Sequence, residues 1–285
     1  MTALREKCFH GWPDSSYENT PPKVQRAFEF TWGSAKFSAY DFESQPHVLL
    51  RLYVLLPRGT RPAKLQGLDL RVLDASDWLD FLSAMRAKFP QPLAGESVAE
   101  PDENNYSVLV EALADGHGVT FIAPRGVGPT QWSKDGKIHT HIRRRFMLLG
   151  QTLDGMRVWD IRRAIQALRS IEGMQQPPLH IMADQEMSGV ALYASLFEPD
   201  IESVELSRLP KSHRDGPDFL NVLRFLDMPQ AVAMAAENSH VVIHQDGDAG
   251  WEYPLAVAKK LGWKDKIEIQ PVSTKSQTAK DASVR

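Results

Sequence analysis

LHIMADQEMSGVALYASLF (179–197) places an apolar strand, a tight turn and an apolar helix directly after one another. The pattern predicts a strand at 179–183 and a helix at 188–197. The same alternation continues on both sides of this stretch, with strands at 119–124, 202–207, 239–244 and 266–270 and helices at 155–173 and 251–263. Short apolar strands that alternate with helices are typical of a parallel sheet covered on both faces. The sequence therefore predicts a three-layer α/β fold with a mostly parallel central sheet.

The amino-terminal part predicts an antiparallel start to this sheet. KFSAYDF (36–42) and HVLLRLYVLLPRG (47–59) have the composition of two strands joined by a short polar turn. A third strand is expected at 65–74, followed by helices at 76–89 and 106–116 whose apolar residues recur at helical spacing.

These elements divide the chain into three segments. Residues 1–35 carry Pro13, Pro21 and Pro22 among polar residues and are predicted to form an irregular lead-in. Residues 36–270 are expected to form one domain, and the polar residues 271–285 are expected to be disordered.

Composition excludes several functions. The formal net charge of −3 gives no overall positive field for phosphate backbones, so no nucleic acid partner is expected. Cys8 is the only cysteine, which excludes an internal disulfide and a cysteine-based zinc site. His139 and His141 are assigned to a polar loop and are expected to be solvated. No metal or cofactor is predicted.

The amino-terminal sequence is used to predict the cellular location of the protein. MTALREKCFHGWPDSS (1–16) lacks the apolar stretch of a secretory signal, and no apolar run approaches the ~18 residues of a membrane span. As written, the sequence predicts a cytoplasmic protein with no membrane partner. A secreted or periplasmic location is expected instead if the chain is cut from a longer precursor.

The turn in ADQEMSG (183–189) has the layout of a nucleophile elbow, G-x-S-x-G, in which a strained strand-to-helix turn presents a serine. Counted from the strand end, Ala183 and Met187 take the two glycine positions and Gln185 takes the nucleophile position. A carboxamide has no proton that a base can remove to make a useful nucleophile. In this register the elbow carries no nucleophile.

A second register makes Ser188 the nucleophile. It forces Asp184, Gln185 and Glu186 into the buried strand, where unpaired carboxylates are costly. A serine at a helix start more often satisfies free backbone N–H groups, and this interpretation is favoured.

Of the other two members of a Ser…Asp…His triad, only the acid has a candidate at its expected position. Asp246 or Asp248 follows a late strand, where the acid is expected. No histidine occurs after His244, although the base is expected after the final strand. A rearranged triad with His213 or His244 as the base stays open.

The run HIRRRFMLLGQTLDGMRVWDIRRAIQALRSI (141–171) resembles bacterial α/β hydrolases of the acetyl xylan esterase and prolyl-oligopeptidase-like group, in which a G-x-(ST)-x-x-G-x-R-x-x-D segment precedes the serine elbow. The residues that match this segment are Gly150, Thr152, Gly155, Arg157 and Asp160. The resemblance spans roughly 36–270. It implies a three-layer α/β-hydrolase-type fold, and it places the nucleophile on Gln185 and the acid on Asp246 or Asp248, with no counterpart for the histidine.

Four residues near the expected strand ends are candidates for binding. Arg125 follows a strand beside two glycines and is suited to an anion or to a structural ion pair. Trp132 and Trp251 offer aromatic faces for a sugar, with core packing as the alternative. Glu186 belongs to an acidic group that disfavours an oxyanion and suits a cation or a polar sugar. That group comprises Asp74, Asp77, Asp184, Glu186, Asp246 and Asp248.

Two functional hypotheses follow. The first is an α/β-hydrolase-fold domain without catalytic activity, which binds or scaffolds a polysaccharide or a catalytic hydrolase domain. The second is an active carboxylic-ester hydrolase, acting on carbohydrate acetyl esters, with an atypical triad that uses Ser188.

Overall fold

The computed structural model describes residues 1–95, 100–133 and 135–272. Within them, nine strands form one sheet in the order β1-β2-β3-β5-β4-β6-β7-β8-β9. The strands are β1 (Val24–Trp32), β2 (Ala35–Gln45), β3 (Val48–Pro57), β4 (Gly67–Val72), β5 (His117–Ile122), β6 (Leu179–Asp184), β7 (Ile201–Ser207), β8 (His240–His244) and β9 (Ile267–Gln270). Strands β1 to β3 are antiparallel, as is the β3–β5 pair, and the remaining pairs are parallel. The mostly parallel sheet with an antiparallel start is confirmed.

Eight α-helices connect these strands in the part of the chain that the structure describes. They are α1 (Ser15–Glu18), α2 (Ala75–Arg86), α3 (Glu103–Ala114), α4 (Gly136–Leu148), α5 (Leu153–Ser170), α6 (Glu186–Ser195), α7 (Met228–Asn238) and α8 (Glu252–Leu261). Short helical turns occupy Leu4–Cys8, Pro62–Lys64, Gln91–Leu93, Gly128–Thr130 and Val222–Arg224. None of the helices in the described ranges is both long and apolar enough to span a bilayer.

Helices cover the sheet through aromatic and hydrogen-bonded contacts. In α2, Phe81 packs on Tyr53 of β3 and Phe121 of β5, with ring centroids 4.9 and 4.8 Å apart. In α5, the indole of Trp159 donates a hydrogen bond to the Ser44 carbonyl of β2 at 2.9 Å. Trp159 is fully buried, so α5 lies in the core.

The prediction of an irregular lead-in over 1–35 was wrong for two parts of it. Strand β1 occupies Val24–Trp32, where Phe28 and Phe30 alternate with exposed residues on an edge strand. Before it, Phe9 stacks on Trp12 at 4.4 Å, and the Trp12 indole donates to the Gly155 carbonyl of α5 at 2.7 Å. Both aromatic side chains are buried, so this segment anchors to the core.

Two longer helices, α4 and α7, were absent from the sequence prediction, as was the single turn of α1. Helix α4 contains His139 and His141, which were assigned to a loop; residues two apart on a helix face different directions, so they do not form a pair. Helix α7 begins at an Asp227 capping box, inside a stretch predicted only as a long connection. The predicted disordered tail, 271–285, lies outside the described residues from 273 onward.

Candidate functional site

The turn between β6 and α6 has the geometry of a strained elbow. Gln185 adopts φ 45° and ψ −117°, a left-handed conformation that glycine tolerates and that costs other residues about 1–3 kcal/mol. Its backbone N–H donates to the Ser207 carbonyl of β7 at 3.1 Å, and its side chain is exposed. The exposed carboxamide of Gln185 therefore occupies the tip of the turn.

Close packing behind the turn requires a glycine in α6. A Cβ on Gly189 would lie 2.5 Å from Cδ of Pro217 and 2.6 Å from Cε of Met228. The start of α6 is thereby pressed against the segments that lead into α7, which keeps Gln185 at the sheet edge.

Ser188 is the third residue of α6, within its first turn, and is fully buried. Its hydroxyl donates back to the Gln185 carbonyl at 2.6 Å. The side chain thus satisfies the local backbone, and its hydroxyl is not presented at the tip of the turn.

Of the two candidate histidines, His213 is held by hydrogen bonds at both ring nitrogens, and His244 lies near a carboxylate. His213 is buried, with Nδ1 2.8 Å from the Pro217 carbonyl and Nε2 2.7 Å from the Tyr193 hydroxyl. Because a carbonyl only accepts, Nδ1 carries the proton and Nε2 accepts from the tyrosine. Burial lowers the pKa of His213, which favours this neutral form. His244 lies at the end of β8, with Nε2 3.7 Å from a Glu205 carboxylate oxygen.

The candidate acids lie on an exposed loop. Asp246 and Asp248 belong to the connection between β8 and α8, at the carboxyl edge of the sheet. Within this loop the Gln245 amide donates to the Gly247 carbonyl at 2.6 Å. The position suits a catalytic acid, but no hydrogen bond within the described residues joins either aspartate to a histidine.

An ion-pair network holds the residue that follows Gln185. Nη1 of Arg157, a buried residue of α5, lies 2.5 Å from Oε1 of Glu186 and 3.4 Å from Oδ1 of Asp154. Arg143 of α4 contacts Asp154 at 2.9 Å and Asp218 at 2.8 Å. Burial raises the pKa of Asp154, and the charges of the two arginines counteract this shift. The network links α4, α5 and α6 around the turn.

A second ion pair flanks the turn on its other side. Arg208 follows β7 with φ 52° and pairs through two nitrogens with the Asp184 carboxylate. The hydrogen bonds that the Arg208 guanidinium donates to Asp184 raise the pKa of Arg208, and the charges of Asp77 and Asp74 add to this effect. A guanidinium surrounded by carboxylates therefore stands beside the elbow.

The loop after β4 is where this architecture usually supplies one oxyanion-hole N–H. Here the Asp74 N–H donates to an Asp77 carboxylate oxygen at 3.4 Å. Oδ1 of Asp74 in turn accepts from the N–H groups of Ser76 and Asp77, each at 2.8 Å. Two carboxylates thus occupy the loop, and negative charge there opposes a developing oxyanion.

The structure buries two of the four candidate binding residues and leaves the other two exposed. Arg125 is 5% exposed and forms a two-point ion pair with Asp160, with Nε–Oδ2 at 2.7 Å and Nη2–Oδ1 at 2.6 Å, so its role is structural. Trp251 is fully buried and packs in the core. Trp132 is 44% exposed, and Glu186 is exposed beside Arg157. Of the four, only Trp132 and Glu186 remain accessible to a ligand.

Three arginines form the ion pairs at this edge of the sheet, and the sequence analysis did not predict those pairs. The three are Arg143, Arg157 and Arg208. Arg157 was noted only as part of a family pattern, and nothing in one sequence shows which carboxylate an arginine will meet.

Comparison with known proteins fits this architecture. A protein of Bacteroides fragilis assigned as an acetyl xylan esterase matches with a TM-score of 0.67 and 14% identity, covering 95% of this chain and 72% of that one. A glucuronoyl esterase from Solibacter usitatus matches with a TM-score of 0.65 and 13% identity, over 94% and 85%. Acetyl xylan esterase 1 from Thermoanaerobacterium matches with a TM-score of 0.52 and 13% identity, over 96% and 92%. No family model and no curated protein sequence matches the chain.

The chain therefore has the α/β-hydrolase fold, in the form found in these esterases. Identities of 11–15% describe a shared backbone and leave the activity to the residues at the elbow.

Proposed function

We propose that this chain is a catalytically degenerate esterase-fold domain that binds a polar carbohydrate of the xylan class. The observation that carries the proposal is the exposed carboxamide of Gln185 at the strained tip of the elbow. The strained backbone of Gln185 costs free energy, and such strain is found mostly at functional sites.

Three features argue against ester hydrolysis. The carboxamide of Gln185 is not a nucleophile that a base can activate. His213, one of the two alternative bases considered from the sequence, uses both ring nitrogens in contacts with Tyr193 and Pro217. Negative charge from Asp74 and its neighbours stands where an oxyanion would form. The alternative of an esterase that uses Ser188 is disfavoured by the burial of that hydroxyl.

Several features support a carbohydrate ligand. A carboxamide both donates and accepts, which matches the hydroxyl groups of a sugar. The Glu186 carboxylate, whose side chain stays half exposed in its ion pair with Arg157, lies beside Gln185 and offers a further acceptor. The exposed ring of Trp132 lies in the loop after β5, at the same edge of the sheet, and presents an aromatic face. Two of the similar solved proteins are named as acting on acetyl xylan, which supports xylan as the ligand class.

The test is isothermal titration calorimetry with xylohexaose and with acetylated xylan. We expect saturable binding that weakens at least tenfold in Gln185→Ala and in Trp132→Ala. Trp32→Ala is the matched control, because Trp32 is 56% exposed on β1, the edge strand at one end of the sheet order, whereas Trp132 and Gln185 follow the central strands β5 and β6. Equal affinity in the Trp132→Ala and Trp32→Ala variants, or no binding by the unaltered chain, would contradict the proposal.

The other partner class predicted from the sequence, a catalytic hydrolase domain, stays a prediction.

A further inference from the structure

Three side chains meet on one face of the sheet at a distance from the elbow. Asp69 of β4, His117 of β5 and His180 of β6 each point a ligand atom into a common space, and these atoms all lie within 4.8 Å of one another. Strand register explains the meeting, because Gly67 pairs with His117 and Asp69 pairs with His180 across the parallel ladder. The three strands are neighbours in the centre of the sheet.

We propose that the Asp69–His117–His180 cluster binds a divalent transition-metal ion of the zinc type. Two imidazoles and one carboxylate are a ligand set that Zn²⁺ takes in proteins, and three protein ligands leave a fourth position for water or a ligand. Nδ1 of His117 and Oδ1 of Asp69 are 3.0 Å apart, a separation that one ion can bridge at bonds of about 2.0–2.2 Å.

Gly67 makes the approach of the two rings possible. A Cβ at this position would lie 2.8 Å from Cε1 of His117 and 2.9 Å from Nε2 of His180. With no side chain there, the two imidazoles stack with centroids 5.7 Å apart. The space over Gly67 therefore holds the ring atoms that would face the ion.

An outer hydrogen bond orients one of the ligands. Nδ1 of His180 is 2.8 Å from the hydroxyl of Ser203, a buried residue of β7. This contact fixes the ring and leaves Nε2 directed at the space over Gly67, as outer partners do for metal-binding histidines. The site is also open to an ion, because the side chains of His117 and Asp69 keep 31% and 14% of their surface exposed.

The cluster is distinct from the elbow. His180 is the second residue of β6 and stands five residues before Gln185, which follows the end of that strand; five extended residues span about 16 Å. Metal binding here does not depend on the proposed carbohydrate function, and its test uses no sugar and no ester. The sequence analysis did not identify this cluster, because residues far apart in sequence reveal a shared site only when the strand order is known.

The test is titration of chelator-treated protein with ZnCl₂ by calorimetry, together with the visible absorption of the Co²⁺ form. We expect one ion per chain, with affinity falling more than tenfold in His180→Gln and with no saturable binding in the double variant His117→Gln/His180→Gln. Ser203→Ala keeps all three ligands and is expected to weaken binding about 10–100-fold. His141→Gln is the matched control, because His141 is an exposed histidine on α4.

Thermal melts of the metal-free variants show whether each one folds as the unaltered chain does. Ser203→Ala supplies a second, milder variant if a ligand substitution disturbs the sheet. An unaltered chain that binds no Zn²⁺ saturably, or a folded double variant that binds as tightly as the His141→Gln control, would show that the cluster is held by hydrogen bonds only and would overturn the proposal.

Discussion

Asp160 of α5 is the counterion of Arg125. Their side chains, 0% and 6% exposed, form a fully buried ion pair near the site. Its Oδ2 accepts from the backbone N–H and Nε of Arg125 at 3.0 and 2.7 Å, and its Oδ1 accepts from Nη2 of Arg125 and the Ser44 hydroxyl, each at 2.6 Å. Asp160→Asn keeps the shape but removes the charge and turns an amide N–H₂ toward the guanidinium. Arg125 is then a buried cation without a counterion, which costs about 3–5 kcal/mol.

The loss in the free energy of unfolding can be expressed as a change in melting temperature. The unfolding entropy of a 285-residue chain is about 0.6 kcal/mol per kelvin, so the expected loss is about 5–8 °C in a thermal melt followed by circular dichroism. Asp41→Asn is the matched control, since Asp41 pairs with Arg51 in the same two-point geometry at 2.6 and 2.9 Å on half-exposed side chains. There we expect at most about 1 kcal/mol.

Equal shifts in the Asp160→Asn and Asp41→Asn variants would refute the assignment of Arg125 to a structural role. A third variant, Arg125→Met/Asp160→Leu, removes both charges together. It should recover most of the lost stability, because the penalty arises from the unpaired charge rather than from the absence of the pair.

Three further predictions concern other parts of the chain. Gln185→Gly relieves the left-handed strain and should raise stability by about 1 kcal/mol, or about 2 °C, after allowance for the greater freedom of the unfolded chain; a lower melting temperature would contradict the strained turn. Because burial lowers the pKa of His213 below its ordinary 6.5, the unfolded state takes up a proton first as pH falls, so urea stability should drop below about pH 6.5, and His213→Gln should flatten that drop; an unchanged pH profile would count against it. Burial raises the pKa of the Cys8 thiol to about 11, so Ellman's reagent should label it only after unfolding, and rapid labelling of the native chain would be the opposite result.

Much of the fold follows from local pattern. Strands β4 to β9 are short runs rich in apolar residues that alternate with helices, so their positions were predicted closely. Strand β1 was missed because an edge strand leaves most of its side chains in water and so looks like a polar segment. Helix α4 was missed for a related reason, since none of its residues is fully buried and its charged residues and histidines give it the composition of a polar loop.

The candidate site was predictable where it depends on sequence spacing and not where it depends on distant partners. The placement of Gln185 at the turn came from the strand-turn-helix order alone, and the absence of a late histidine is a property of the sequence. The burial of Arg125 by Asp160, and the meeting of His117 with His180, depend on packing and strand order. Neither is encoded within a window of a few residues.

The measurement that tests the central claim most directly is hydrolysis of p-nitrophenyl acetate and acetylated xylan by the purified chain, beside its Gln185→Ser and Ser188→Ala variants. A degenerate esterase-fold domain predicts no turnover above buffer in the unaltered chain, and none in Gln185→Ser, because a serine at the elbow still lacks an imidazole base. Turnover by the unaltered chain that Ser188→Ala abolishes would contradict the account and identify an active esterase.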